Sequence, residues 1–168
     1  FSAENSQVST DQSSTDQGSI ASQNLSALPP RQSVNVQAAL PHLVINEFMS
    51  SNVSTIADED GTYQDWLELY NPGATPVSLL GVGLSDAVET PFRWTFPDVT
   101  LAPGQFLLVW TSGKNRTNPN APLHTNFSIS ANGEPLILTH PSDGVIDQIA
   151  PMRIGRSLSY GRRADGSD

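Results

Sequence analysis

The chain has 168 residues, enough for one domain with a buried core, and carries 8 Lys and Arg against 17 Asp and Glu, a net charge of −9. This acidic balance argues against nucleic-acid binding, which depends on Lys and Arg at phosphates, and against docking on an anionic membrane. The absence of cysteine excludes disulfides, zinc-thiolate sites and a Cys nucleophile. The longest apolar runs are far shorter than the roughly 18–20 residues that a membrane span requires.

Residues 1–41 differ in composition from the rest of the chain. Ser, Gln, Asn and Thr make up 20 of these 41 residues, and the only aromatic side chain is Phe1. Such a segment has too little apolar surface to offset the entropy lost on ordering, so we predict a flexible linker or stalk. A start at Phe, without Met or an apolar signal core, is expected of a processed chain or a trimmed fragment.

From His42 onward, short apolar runs alternate with turns of Gly, Pro, Asn and Asp, which is the pattern of a β-protein. In DWLELYN the two leucines share one face while Trp, Glu and Tyr share the other, and QFLLVWT is apolar enough for a central strand. About seven to nine short strands without a helix favour a two-sheet sandwich over a barrel. The predicted strands are 42–50, 65–71, 75–79, 92–97, 105–111, 125–130, 134–140, 144–149 and 157–161.

Six motifs follow one another as INEFMSSN, DEDGTYQDWLELYNPG, LSD, FRWTFPDVTLAPGQFLLVWTSGK, LHTNFSISANGEPLILTHPSDGVID and SYGR. In this order and spacing they resemble the lamin tail domain, most closely its bacterial branch, which is found in exported and cell-surface proteins. The resemblance implies an immunoglobulin-like β-sandwich over residues 42–168. Bacterial members usually continue past SYGR with another strand, so the resemblance also implies that a closing strand is lacking or that the chain is a fragment.

The first candidate site is the acidic loop DEDG. No Lys or Arg occurs between positions 31 and 93 to neutralise the carboxylates in and around it. Oxygen ligands of this kind suit Ca²⁺, with Asp58, Asp60 and Asp65 as the candidate ligands. An EF-hand register fails, because its first and twelfth positions would be Ile56 and Leu67. We expect a solvated turn with its carboxylates in water, and therefore no resident cofactor.

Catalytic signatures are weak elsewhere. Paired carboxylates for glycoside hydrolysis would need two acids roughly 5–10 Å apart across a cleft, which the sequence does not indicate. The histidines His42, His124 and His140 lack metal-ligand spacing, and strand-edge histidines are expected at the surface. The sequence contains no G-x-S-x-G elbow, and no Ser lies in a motif that suggests a triad, so we predict that the protein is not an enzyme.

The second candidate site is a row of aromatic side chains. Trp66 and Tyr70 share a strand face with Glu68, and Tyr63 and Trp94 are expected nearby. Exposed aromatics beside a carboxylate stack sugars or anchor a partner protein. The alternative is that this face packs against the second sheet.

Charge also segregates along the domain, because the charged residues of 42–92 are all acidic and four arginines lie near the C-terminus. Such patches either pair head to tail between copies or neutralise each other within one chain. The arginines are Arg153, Arg156, Arg162 and Arg163.

These observations predict a secreted or cell-surface, non-catalytic module that acts in adhesion or protein–protein interaction. The expected partner is a protein or a surface polysaccharide; neither nucleic acid nor membrane insertion is expected. The alternative is an accessory domain that targets a secreted hydrolase to polysaccharide. Fold alone does not decide between them.

Overall fold

The computed structural model describes residues 40–142 and 144–167, so the predicted linker falls almost wholly outside the described residues. The described part is all-β, with eleven strands and no helix, which confirms the predicted immunoglobulin-like sandwich. Among these residues, no helix is long and apolar enough to cross a membrane. The strands are β1 (Val44–Met49), β2 (Trp66–Tyr70), β3 (Val77–Ser78), β4 (Gly83–Ser85), β5 (Trp94–Thr95), β6 (Thr100–Leu101), β7 (Phe106–Trp110), β8 (Leu123–His124), β9 (Leu136–Thr139), β10 (Val145–Ile149) and β11 (Tyr160–Gly161).

The strands form two main sheets and a short ribbon. The five-stranded sheet has the order β11-β1-β2-β7-β8, and the four-stranded sheet has the order β10-β9-β4-β5. Strands β3 and β6 form the ribbon. Every pair is antiparallel except β7 and β8, which run parallel. This topology places residues 112–124, which follow β7, at the end of the sheet where β2 begins.

The main core follows the period-two pattern of the strands. Leu67 and Leu69 of β2 are fully buried, and they pack with Leu84 of β4 and Leu136 and Leu138 of β9. Burial of one such leucine contributes on the order of 2 kcal/mol of hydrophobic free energy. Both sheets therefore present one apolar face to a shared interior, as a sandwich requires.

A second, smaller cluster lies on the other face of the five-stranded sheet. Trp66 and Trp110 are opposite each other on β2 and β7, and they pack with Met49 and the half-buried Leu108. Trp110 is therefore buried in this outer cluster rather than between the sheets.

Three strand predictions need correction. The run 125–130 was predicted as a strand, but the strand ends at His124, and only Ser128 forms an isolated bridge, to Ser112. Strands β4 and β6 were not predicted, because their apolar runs are too short to give a strand pattern. Gly81 and Gly83 interrupt the run at β4, and Pro103 follows closely after β6. Gly83 of β4 lies so close to the next turn that a Cβ there would be 2.5 Å from the carbonyl oxygen of Pro91.

A polar contact joins the two sheets beside β1. Asp147 of β10 accepts a hydrogen bond from the backbone N–H of Ile45 at 2.7 Å and another from Arg162 at 2.7 Å. The Nε of Arg162 also donates to the carbonyl oxygen of Ile45 at 3.1 Å. The edge strands β10 and β11 are thereby held next to each other.

Candidate functional site

The acidic loop is a tight turn organised by Asp58. The N–H of Gly61, at a φ of 75°, donates to the Asp58 carbonyl at 2.9 Å. The Asp58 carboxylate accepts hydrogen bonds from the N–H groups of Asp60 and Thr62, both at 3.0 Å, and from the Thr62 hydroxyl at 2.9 Å. Its side chain is fully buried. Asp58 therefore holds the loop in shape, and the expectation that it sits in water is wrong.

Two basic side chains from the segment after β7 neutralise this loop. Lys114, the only lysine of the chain, donates from Nζ to Asp58 and, at 2.7 Å, to Asp60. Arg116 donates to Glu59 and, at 2.6 Å, to Asp60. The sequence indicated no local neutralising residue because both lie more than 50 positions away. The acidic loop pairs with these residues and not with the C-terminal arginines.

A buried histidine completes the network. The Nε2 of His124 is 3.0 Å from both carboxylate oxygens of Glu59, and its Nδ1 is 2.8 Å from the hydroxyl of Ser112. The ring is fully buried and stacks beside Trp110, with centroids 6.2 Å apart. The expectation of a surface histidine is therefore wrong for His124. A residue at the end of a strand can be buried when a loop folds over it.

Ser112, His124 and Glu59 follow one another as in a serine–histidine–carboxylate triad, but with the ring nitrogens exchanged, because Nδ1 faces the serine and Nε2 faces the carboxylate. Both ring nitrogens already have partners, and Arg116 also binds Glu59. The arrangement therefore links the acidic loop firmly to β8, and any catalytic use would depend on Ser112.

The network shifts the acid–base behaviour of the loop. Burial raises the pKa of the Asp58 carboxyl, but hydrogen bonds from Lys114 and Thr62 outweigh burial and hold this pKa well below its usual range. Hydrogen bonds from Arg116 and then Lys114 lower the pKa of Asp60. The pKa of Lys114 is raised, because its two carboxylate partners outweigh the effect of burial. All three groups stay charged at neutral pH.

The proposed Ca²⁺ ligands are not brought together. Asp58 and Asp60 share Lys114, whereas Asp65 accepts a hydrogen bond from the N–H of Asn52 at 2.8 Å and lies outside the network. One ligand atom each from Asp58, Glu59 and His124 lies within 4.8 Å of the others. This mixed nitrogen and oxygen set suits a transition metal better than Ca²⁺, but a cation there would have to displace the Lys114 ammonium.

The four residues of the predicted aromatic row lie in four different environments. Trp94 is buried in the main core, where it meets Phe96 edge to face at 4.8 Å between centroids. Trp66 is buried in the outer cluster with Trp110. Tyr63 is 51% exposed in the loop before β2. The four aromatics therefore do not form one binding surface, and the β2 face that carries Trp66 does not pack against the second sheet either.

The half-buried Tyr70 belongs to a partly exposed aromatic pair that the sequence did not reveal. Its ring stacks on Phe106, directly opposite on β7, with centroids 4.4 Å apart and planes at 23°. Phe106 is 41% exposed. The next residues on the same face are Glu68 and Leu108, which lie opposite each other. The outer face of β2 and β7 thus presents a rigid aromatic pair beside a carboxylate.

Comparison with known proteins agrees with the architecture. The sequence model of the family described as Lamin Tail Domain matches residues 36–152. This match spans β1 to β10 and includes both the acidic loop and the aromatic pair. A search of curated proteins finds no match to the chain.

Proposed function

Because the chain belongs to the lamin tail domain family, a family of non-catalytic immunoglobulin-like modules, we propose that it binds a partner protein at the cell surface. The extracellular location is part of this proposal and rests on the resemblance to bacterial, exported members. The observation that carries the binding role is the stacked Tyr70–Phe106 pair on the outer face of β2 and β7, in which Phe106 is exposed and Tyr70 is half-buried.

The aromatic pair has the properties of an interface anchor. Phe106 is substantially exposed, so burying it under a partner would remove apolar surface from water. Its stacking on Tyr70 fixes the ring in advance, which lowers the conformational entropy lost on binding. Aromatic side chains of this kind contribute most of the binding energy in many protein interfaces. The half-buried Leu108 extends the apolar surface along β7.

The binding role can be tested with the fluorescently labelled full chain on intact cells of the source organism. We expect saturable binding that protease treatment of the cells abolishes. Phe106→Ser should weaken binding by at least about tenfold, because it removes an anchor residue. Val88→Ser serves as the control, since Val88 is 67% exposed in a different turn and should leave binding unchanged. Equal binding by all variants would contradict the proposal.

The aromatic pair also supports the polysaccharide alternative, because a flat exposed ring beside Glu68 can stack on a sugar. The same assay separates the two functions. Binding that survives protease but is lost after glycosidase treatment would favour an accessory domain that targets a hydrolase to polysaccharide.

The proposal includes the absence of intrinsic catalysis. A panel of ester, phosphate and glycoside substrates should show no product release above that of buffer. Product release that is lost in both Ser112→Ala and Glu59→Gln would show that the Ser112–His124–Glu59 arrangement is catalytic, and would contradict a purely binding role.

We also propose that the loop has no resident Ca²⁺, because Lys114 already neutralises its two closest carboxylates. A true site at a hundredfold excess of ion over Kd would stabilise the fold by about 2.7 kcal/mol, a melting shift of roughly 5–10 °C. We expect Ca²⁺ and Mg²⁺ to have the same small effect at matched ionic strength. A Ca²⁺-specific shift of several degrees that Asp60→Asn removes would contradict this.

A further inference from the structure

A cleft of about 350 Å³ lies between the edge strands of the two main sheets. Its volume is within the range of roughly 300–1,000 Å³ that is typical of ligand sites. Within residues 40–142 and 144–167, β10 and β11 each end a sheet and pair with a neighbouring strand on one side only. An extended peptide can add to such an edge through its backbone. The cleft is lined by Gln148, Ile149, Tyr160, Gly161, Arg162 and Arg163.

The two arginines of the cleft differ in whether their guanidinium groups already have partners. Arg162 is occupied, because it binds the Asp147 carboxylate at 2.7 Å and the Ile45 carbonyl at 3.1 Å. Arg163 is exposed and, within residues 40–142 and 144–167, makes neither a hydrogen bond nor an ion pair. The cleft therefore offers one guanidinium that can bind a carboxylate with two parallel hydrogen bonds.

The cleft also has a fixed apolar wall. Tyr160 is 47% exposed, and its ring packs against the buried Phe48, with centroids 6.1 Å apart. Ile149 is half-buried on β10 across the cleft. An apolar side chain next to a carboxylate in the ligand would contact this wall. The Gln148 amide can both donate and accept hydrogen bonds to a peptide backbone.

We propose that this cleft binds an extended segment of a partner protein whose single Asp or Glu carboxylate pairs with Arg163. The backbone of the segment would pair with an edge strand, and a neighbouring apolar side chain would contact Tyr160. A polyanion such as a sulfated glycan fits less well, because of the two arginines that line the cleft only Arg163 is without an ion pair among the described residues, and the chain has a net charge of −9. This site goes beyond the proposed function, since it uses a surface separate from the Tyr70–Phe106 pair.

Fluorescence polarisation on the full chain tests the site with a labelled heptapeptide, Thr-Val-Thr-Glu-Val-Thr-Val, blocked at both ends. We expect saturable binding that weakens about tenfold or more when Gln replaces the Glu of the peptide. Arg163→Ala should cause a similar loss with the Glu peptide and almost none with the Gln peptide. Arg163→Lys should retain part of the affinity, because it keeps the charge but not the paired geometry.

Arg153→Ala is the matched control, since Arg153 is an exposed arginine that does not line the cleft, and it should change affinity by less than about twofold. Equal affinity for the Glu and Gln peptides, or an equal loss in the two Ala variants, would overturn the proposal. Arg163-dependent binding of a heparin oligosaccharide in place of the peptide would also overturn it. Phe106→Ser should leave peptide binding unchanged, so this site and the proposed cell-surface function can fail independently.

Discussion

Asp58 and Asp65 show how two carboxylates of one short segment acquire opposite properties. Asp58 is buried against an ammonium and several donors, and its pKa is lowered. Asp65 is partly buried with one backbone donor from Asn52, and burial raises its pKa. The difference follows from the partners, because desolvation acts on both groups in the same direction.

This contrast predicts that removing the charge has a large effect on stability at Asp58 and a small one at Asp65. Asp58→Asn should lower the free energy of unfolding at pH 7 by about 2–4 kcal/mol, because it leaves the Lys114 ammonium without its buried partner. Asp65→Asn should change stability by less than about 1 kcal/mol, because the Asn side chain oxygen can still accept from Asn52 while the desolvated charge is removed. Urea unfolding measures both values.

Asp98→Asn is the control for this pair, because Asp98 is exposed and should tolerate the change. A larger destabilisation from Asp65→Asn than from Asp58→Asn would show that the buried ion pair is not what holds the loop.

The lowered pKa values also predict the stability of the fold in acid. A carboxyl whose pKa is lower in the folded than in the unfolded chain stabilises the fold fully above its unfolded pKa, and this stabilisation is lost as pH falls toward the folded value. The unfolded values lie near 3.8 for Asp58 and 4.5 for Glu59. We therefore expect the free energy of unfolding to decrease steadily below about pH 4.5.

Melting curves between pH 2 and 7 test this expectation. The Asp58→Asn variant should lose less stability over the acid range than the unchanged protein, because it has already lost the largest contribution. Parallel curves for the two proteins would exclude Asp58 as a source of the acid sensitivity.

At the scale of elements, the strands with a clear period-two pattern were predictable and the short ones were not. Strand β2 was predicted because its leucines and aromatics alternate between a core face and an outer face. Strand β8 was misplaced, because the apolar residues Phe127 and Ile129 enter the core from a segment without strand pairing. The local pattern of apolar residues indicates that a segment is buried. Whether the segment forms a strand depends on its pairing partner, which for β8 is the parallel strand β7.

The candidate site was only half predictable for the same reason. The acidic loop is visible in the sequence, but its partners come from the connection between β7 and β8. Pairing of β2 with β7 brings that connection beside the loop before β2. The lone lysine was the one available signal, and its spacing of 54 positions from Asp60 carries no local pattern.

Strand β4 depends on a glycine for its close approach to the turn before β5. In Gly83→Ala the new Cβ would lie 2.5 Å from the Pro91 carbonyl oxygen and 2.6 Å from the Phe92 ring. We expect a loss of about 2–4 kcal/mol in the free energy of unfolding, because backbone must move to relieve the clash. Thermal or urea unfolding provides the value.

Gly104→Ala is the matched comparison, since nothing lies within 4 Å of its Cβ position and only its φ of +70° opposes the change. Its cost should be about 1–2 kcal/mol. A cost for Gly83→Ala below that of Gly104→Ala would contradict the packing argument.

At the scale of the whole described domain, β11 covers one edge of β1 in the five-stranded sheet. Strand β11 pairs with β1 through Glu47 and Phe48, and Arg162 ties the same region to β10. A chain that ends after Ser157 should therefore unfold at a temperature lower by roughly 10 °C or more, because it loses this pairing and the contact of Tyr160 with Phe48. Calorimetry measures the shift, and Arg163→Ala should show almost none. A truncated chain with an unchanged melting temperature would contradict this role of β11.

The pairing of β1 with β11 also determines when folding can finish. The Arg162–Ile45 hydrogen bond joins residues 117 positions apart, so it cannot form on the ribosome until nearly the whole domain has emerged. Contacts of such high sequence separation slow folding, because a long loop must close before they form. Until then β1 has one unsatisfied edge. A nascent chain is consequently open to pairing with another copy during synthesis until β11 has emerged and covers this edge.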